Sequence, residues 1–291
     1  MPGGDERKQG EVTSLQNPWK IFAFEVFLFS LTLGFGILAA LKINEILKME
    51  EILIPAISFW QFLLYFLLIT LFIFLISKFL KVEKGKGIIF KAIFVFATFW
   101  GGALLFSLWL PDPLALILIG TLIFWWLKKP IILVHNLILI FGIAGLGGIL
   151  GLRLSPLIVI LLLIVFSIYD FIAVYKTKHM IKMAKEMIEA GAILGLIVPQ
   201  KISDFRANLK EVRPGGEFLI LGGGDIAFPL LFCSSLIPTG ILNSLIVALF
   251  SLIGLFAGFY FFTKQKIRQP IPALPPIALF SIIGYLITKL I

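Results

Sequence analysis

The chain has 291 residues, 60% of them hydrophobic and 14% charged, with a formal net charge of +9. A water-soluble domain of this length has no interior large enough for so much apolar surface, since about 45–50% apolar and about 25% charged residues are usual. The single cysteine, Cys233, excludes an intrachain disulfide, and the lysines fall between apolar blocks instead of on one soluble face, so the charge reads as membrane topology and affinity for anionic headgroups, not as a nucleic-acid footprint.

Residues 1–18 are polar and are expected to form a flexible cytoplasmic N-terminus. The first apolar run follows Pro18-Trp19-Lys20, shows no convincing signal-peptide cleavage site and reads as a retained helix. Nine apolar segments follow the spacing of membrane spans: 19–41, 57–77, 88–110, 113–127, 131–152, 155–175, 217–237, 239–262 and 270–291. The fourth is short for a hydrocarbon core of about 30 Å, and Pro111-Asp112-Pro113 before it predicts a tight hairpin with the third. Alternating the loops between two sides leaves Lys42, Lys48, Arg153 and Lys289 on one side and every other Lys and Arg on the opposite one. That asymmetry puts the N-terminus in the cytoplasm and the C-terminus outside. The fold class is therefore an all-α polytopic membrane protein of nine transmembrane helices: six in 19–175, a cytoplasmic loop at 176–216 and three in 217–291.

In the fifth segment Gly142, Ala144, Gly145, Gly147, Gly148 and Gly151 recur at spacings that let helix backbones approach closely, which is a packing signal. His135-Asn136 in the same segment reads as interhelical hydrogen bonding, and Cys233 as a small packing residue. Within the long loop, 177–190 alternates Lys, Met and Ile as an amphipathic surface helix does. The apolar stretch 191–199 is too short to span and is expected to dip into the interface, and Pro214-Gly215-Gly216 breaks the chain before segment seven.

Charged side chains inside spans carry a cost of several kcal/mol or more and mark function. Three qualify: Glu25, Asp170 and Asp225. Glu25, about one and a half turns from Lys20, is expected to snorkel to the cytoplasmic interface. Asp170 lies about 9 Å below the cytoplasmic end of segment six and Asp225 about 12 Å below that of segment seven, so the two carboxyls can meet. Carboxyls in contact share one proton and titrate as a unit. That state suits aspartic proteolysis, in which the ionised group takes a proton from water and the neutral one polarises the scissile carbonyl. The same pair would also serve a proton-coupled transporter or an ion leak pathway, and a structural hydrogen bond between helices is the third possibility.

Tyr169-Asp170, Gly222-Gly223-Gly224-Asp225 and Pro272-Ala273-Leu274, followed by Pro275, stand in that order on segments six, seven and nine. Together they resemble the Y-D, G-x-G-D and P-A-L motifs of the presenilin and signal peptide peptidase family of intramembrane aspartyl proteases, over roughly 19–291. The cytoplasmic N-terminus is similar to the presenilin-like branch, which implies single-span helices with an extracellular N-terminus as substrates. The resemblance implies Asp170 and Asp225 as the catalytic pair, with Tyr169, Gly222, Gly223, Gly224, Pro272, Ala273 and Leu274 shaping the site and holding substrate.

Elementary chemistry gives reasons for the same residues. Glycines beside Asp225 let backbone or substrate approach the acid. Tyr169 is a candidate hydrogen-bond donor or cover over the site. Pro270, Pro272, Pro275 and Pro276 prevent a regular helix start and leave carbonyls unpaired beside a cavity. A substrate helix must unwind before its peptide bonds are reachable, and Glu217 to Leu221 offer a strand edge to receive it, so prolines at 218–221 are expected to weaken cleavage without unfolding the protein. No H-E-x-x-H and no G-x-S occur, and His135 and His179 lack zinc-protease surroundings. The reading is an intramembrane aspartic endopeptidase of the cell membrane, needing no cofactor, no metal and no nucleic acid. Its partners are transmembrane-helix substrates and the bilayer, and the short loops favour activity without accessory subunits.

Overall fold

The computed structural model describes residues 18–53, 55–79, 83–177, 186–212, 218–265 and 270–290, with side chains for all of these except 73, 74, 76–79 and 83–87. Apolar chain in hydrocarbon must satisfy its own backbone, and helix is the local solution. Accordingly α1 runs Pro18–Met49, α2 Phe59–Phe79, α3 Glu83–Ser107, α4 Asp112–Lys128, α5 Ile132–Leu152 and α6 Pro156–Phe171. A π-helical turn, Ile172–Lys176, continues α6. Beyond the long connection come α7 (Gly223–Ser235), α8 (Ile241–Lys264) and α9 (Leu274–Thr288).

Each of the nine expected segments thus carries a helix. Five helical stretches are long and apolar enough to cross a membrane: Pro18–Met49, Ile88–Ser107, Ile132–Leu152, Pro156–Lys176 and Ile241–Lys264. The apolar helices Phe59–Phe72, Gly223–Thr239 and Leu274–Thr288 are shorter. Prolines open several of them, where a missing N–H is no loss: α6 begins at Pro156 behind Ser155, whose Oγ accepts from Ile158 N–H at 3.4 Å. Large apolar side chains such as Leu64, Phe72, Ile117 and Leu249 face outward, as lipid-facing surfaces require.

Helix α5 is the hub, packed against α1, α3, α4 and α7. Its glycines do what their spacing predicts. A Cβ added at Gly145 would run into the carbonyl of Gly101 on α3, and one at Gly151 would lie 2.7 Å from Leu231 O on α7. Helices α8 and α9 form a second close pair, joined by a 2.7 Å hydrogen bond between Ser251 and Ser281.

Segment seven is not helical throughout: β2 (Phe218–Gly222) precedes α7, so the strand edge expected at Glu217 to Leu221 is present over 218–221, with Glu217 outside the described residues. The stretch 191–199, expected as an interfacial dip, forms β1 (Gly195–Pro199) in its second half, buried along its length. The two strands pair antiparallel with Gly195 opposite Gly222 and Ile197 opposite Ile220. Three glycines in succession at 222–224 are poor helix formers, and β1 supplies a partner for the backbone ahead of them. The all-α expectation therefore becomes a helical bundle bearing a two-stranded sheet. After β1, short 3-10 turns at Ile202–Arg206 and Leu209–Glu211 return the chain to the start of α5, where Leu209 N–H donates to Pro130 O (2.8 Å) and Ile132 N–H to Ala207 O (3.1 Å). Most of the expected amphipathic helix 177–190 lies outside the described residues; 186–190 is helical.

Candidate active site

Three chain ends converge on one place: the end of α6, the first turn of α7 and the first turn of α9. Asp170 is the penultimate residue of α6, immediately before the π turn. It is 5% exposed, and its Oδ2 has no hydrogen-bond partner among the described residues. Helix α6 packs against α9, which starts at Leu274, whose N–H has no acceptor within its own helix.

The P-A-L sequence explains that donor. Helix α9 begins at Leu274, with Ala273 as its N-cap, and the next two residues are Pro275 and Pro276. The first turn of a helix has N–H groups with no partner inside the helix, and the two prolines contribute none. Leu274 is left as the first free donor, at the end of the helix that favours negative charge. Pro272 and Leu274 are buried, and Ala273 is partly so.

Asp225 stands at the third position of α7, which begins at Gly223 with Gly222 as N-cap. The carboxyl folds back over the N-cap: a Cβ on Gly222 would sit 2.8 Å from Asp225 Oδ2, and the carboxyl would have to shift to make room for it. Gly223 contributes through its backbone instead, its N–H donating to Leu194 O at 2.9 Å and extending the strand ladder. Gly224 faces open space, with Phe228 its nearest neighbour at 3.8 Å.

Helices α6 and α7 pack against each other, and both pack against α9. Phe166, one turn before Asp170, and Phe228, one turn after Asp225, stack with centroids 4.5 Å apart and join α6 to α7 beside the acids. Tyr169 is turned away from the dyad and is 55% exposed; successive residues of a helix point about 100° apart, so burial of Asp170 sends Tyr169 outward.

Glu25 departs from its expected position. Instead of reaching the interface it is buried in α1, 4% exposed, with Oε2 unpartnered among the described residues, and α1 packs against α7, the helix that carries Asp225. The signal available in the sequence was its depth in an apolar span; which way the helix faces was not readable.

His135 and Asn136 also differ from expectation. Their partners are the backbone of β1, not another helix. Asn136 Nδ2 donates to Ile197 O (2.7 Å), and Ile197 N–H donates to Asn136 Oδ1 (2.9 Å). His135 Nε2 lies 3.3 Å from Gly195 O, which requires the Nε2–H tautomer. The imidazole is stacked on Phe94 with centroids 4.8 Å apart and planes 7° apart. Cys233 is buried and free, as a packing residue would be.

The family model of signal-peptide peptidase and presenilin aspartyl protease matches residues 25–291. Two solved structures of a presenilin family intramembrane aspartate protease resemble the chain. The one in space group C222 has 23% sequence identity and a TM-score of 0.57, covering 91% of this chain and 99% of that one. The other, in space group P2, has 22% identity and a TM-score of 0.52, covering 90% and 96% respectively. No curated protein matches the sequence.

Proposed function

Because this chain belongs to the signal-peptide peptidase and presenilin family of aspartyl proteases, we propose that it cuts peptide bonds within the transmembrane helices of other membrane proteins, with Asp170 and Asp225 as the catalytic pair. One observation carries this reading: two carboxyls, one buried and one partly buried, stand on packed helices at the junction closed by the Phe166–Phe228 stack, where hydrocarbon would otherwise exclude both.

The chemistry needs one ionised and one neutral carboxyl. The ionised group takes a proton from a water molecule as its oxygen attacks the scissile carbonyl carbon. The neutral group gives its proton to the carbonyl oxygen, forming a tetrahedral diol. Collapse of the diol transfers a proton to the amide nitrogen, breaks the C–N bond and returns the shared proton to the pair. Leu274 N–H, at the start of α9, and Gly222 N–H, at the N-cap of α7, are the donors that orient Asp170 and Asp225 when substrate is bound. Gly222 and Gly224 leave the space in which substrate backbone approaches, and Pro272 to Leu274 form the opposite wall.

The substrate is a membrane-spanning helix that has unwound near its cut. Strand β2 leads directly into the helix bearing Asp225, and its outer edge receives the extended segment. The chain crosses the membrane nine times, with the N-terminus cytoplasmic and the C-terminus outside, so both acids lie towards the cytoplasmic face of the cell membrane. The expected N-terminal segment 1–18 lies outside the described residues except for Pro18, which begins α1; the loop 176–216 is cytoplasmic, and the protein acts without accessory subunits.

The test is cleavage of a single-span peptide by the purified full chain in lipid nanodiscs, read by mass spectrometry. Asp170→Asn and Asp225→Asn are each expected to lower turnover by about a thousandfold or more while leaving the melting temperature in place. Undiminished cleavage by either variant overturns the assignment. Proton flux without peptide products would identify a transporter instead.

A further inference from the structure

Antiparallel strands alternate between pairs whose N–H and C=O groups face each other and pairs whose groups face away. The phase of the β1–β2 sheet follows from bonds outside it. Both backbone groups of Ile197 are held by Asn136, so they point away from β2. Gly195 O, two residues earlier, points the same way, to His135. Gly223 N–H bonds to Leu194 O, which makes 194 and 223 a facing pair and agrees with that alternation. The facing pairs within the register are then Leu196 with Leu221 and Val198 with Leu219, and the averted pairs are Gly195 with Gly222, Ile197 with Ile220 and Pro199 with Phe218.

On the outer edge of β2 the N–H and C=O groups of Phe218, Ile220 and Gly222 therefore project. Gly222 is crowded by Asp225, whose Oδ2 lies 2.8 Å from where a Cβ would stand. Ile220, five residues before Asp225, has no backbone partner on that edge among the described residues. At this depth in a membrane protein an unpaired backbone pair requires a partner, and a strand edge is filled by another strand. Asn136 fills the corresponding place on the opposite edge: its amide is 1% exposed and bonds to Ile197 as a neighbouring strand residue would.

We propose that Asn136 is a positioning and specificity-determining residue: by clamping Ile197 from the hub helix it closes the β1 edge and sets the strand phase, so that Ile220 is the residue whose N–H and C=O receive the substrate. This rests on the protease reading above and deepens it. The clamp transmits through Ile197 and Ile220 to the start of α7. The bond to be cut is thereby held at a fixed number of residues from the one paired with Ile220. A sheet not anchored to α5 would let the substrate dock in more than one register, since register is weakly specified where no turn or buried face pins it.

The inference separates substitutions that the sequence alone treats alike. Ile220→Pro removes an N–H that the β1 ladder does not use and is tolerated by the sheet, whereas Leu219→Pro and Leu221→Pro remove ladder bonds. The full chain in nanodiscs, cutting a single-span peptide, is measured for KM, kcat, cut positions and melting temperature. Ile220→Pro is expected to keep the melting temperature and lose about tenfold or more in kcat/KM; Leu219→Pro is expected to lower the melting temperature. Asn136→Leu is expected to raise KM about tenfold or more and to add cut positions that the parent does not use, with Asn136→Gln restoring part of the single-site pattern.

Parent kcat/KM in Ile220→Pro, or a melting temperature lost in Ile220→Pro and kept in Leu219→Pro, overturns the phase assignment. Asn136→Leu with parent KM and a single cut overturns the clamp. If Asn136→Leu does not fold, the proline pair decides. Asp225→Asn is run beside them. If it still cuts, the protease reading fails; if it is silent while Ile220→Pro retains parent activity, only this inference fails.

Discussion

Gly222 is where a single side chain has the most direct hold on the site. With a Cβ only 2.8 Å from Asp225 Oδ2, Gly222→Ala pushes the carboxyl out of line without disturbing the buried core. Cleavage is expected to fall by on the order of tenfold to a hundredfold with little change in melting temperature, which kinetics and a thermal melt on the same preparation will check. Gly224, in open space, is the internal control: Gly224→Ala keeps more activity than Gly222→Ala, and the reverse order would disprove the steric account. Glu25 poses the opposite case. A buried carboxyl oxygen without a partner among the described residues costs stability, and Glu25→Met, which removes that polar atom at similar length, is expected to stabilise the fold by about 1–3 kcal/mol, seen as a higher melting temperature. A lower one would show that the carboxyl is held by a group worth more than its desolvation.

At the scale of elements, proline and glycine decide where helices begin, and the beginnings make the site. Helix α9 starts at Leu274 because the prolines around it forbid an earlier start, and the same prolines leave Leu274 N–H as the first donor of that helix. Helix α7 starts at Gly223 because the chain before it is committed to a strand. The motifs were legible as motifs; that P-A-L and G-x-G-D each mark a helix start was visible only once those starts were known. The glycine ridge of α5 is an element-scale device of another kind. Gly145→Leu would drive a side chain into the α3 backbone at Gly101; a destabilisation of about 1–3 kcal/mol or a failure to fold is expected, measurable as loss of the thermal transition in micelles. Gly120, with nothing within 4 Å of an added Cβ, should accept leucine without such loss.

For the whole molecule, the decisive question is which loops share a side. Cysteine scanning answers it, since Cys233 is buried and the sole native thiol. In a Cys233→Ala background, single cysteines at Lys128, Lys201 and Lys264 are expected to react from the cytoplasmic side with an impermeant maleimide, and those at Lys48, Arg153 and Lys289 from the outside. Any exchange between the two groups would break the nine-span topology. The same arrangement brings the 195–212 connection against the start of α5 and beside the helices that carry the acids, so a stretch between two spans becomes part of the site.

Hydrophobicity, charge asymmetry and three short motifs determined, from sequence alone, that the chain is a helical membrane protein and which two acids to watch, because those properties are local and additive along the chain. They gave one strand but not its partner. A strand edge at 217–221 was legible from the Gly215-Gly216 break and from the need for an edge to receive substrate, whereas 191–199 is an apolar run too short to type by periodicity, and 195–199 became a strand because β2 was there to pair with it. Nor did they reveal that Glu25 faces inward or that Asn136 bonds to a strand, since the direction a side chain takes around a helix that is apolar on every side is set by its neighbours. Contacts between residues about 60 positions apart, such as Asn136 with Ile197, exist only after folding, and the tertiary structure alone decided them.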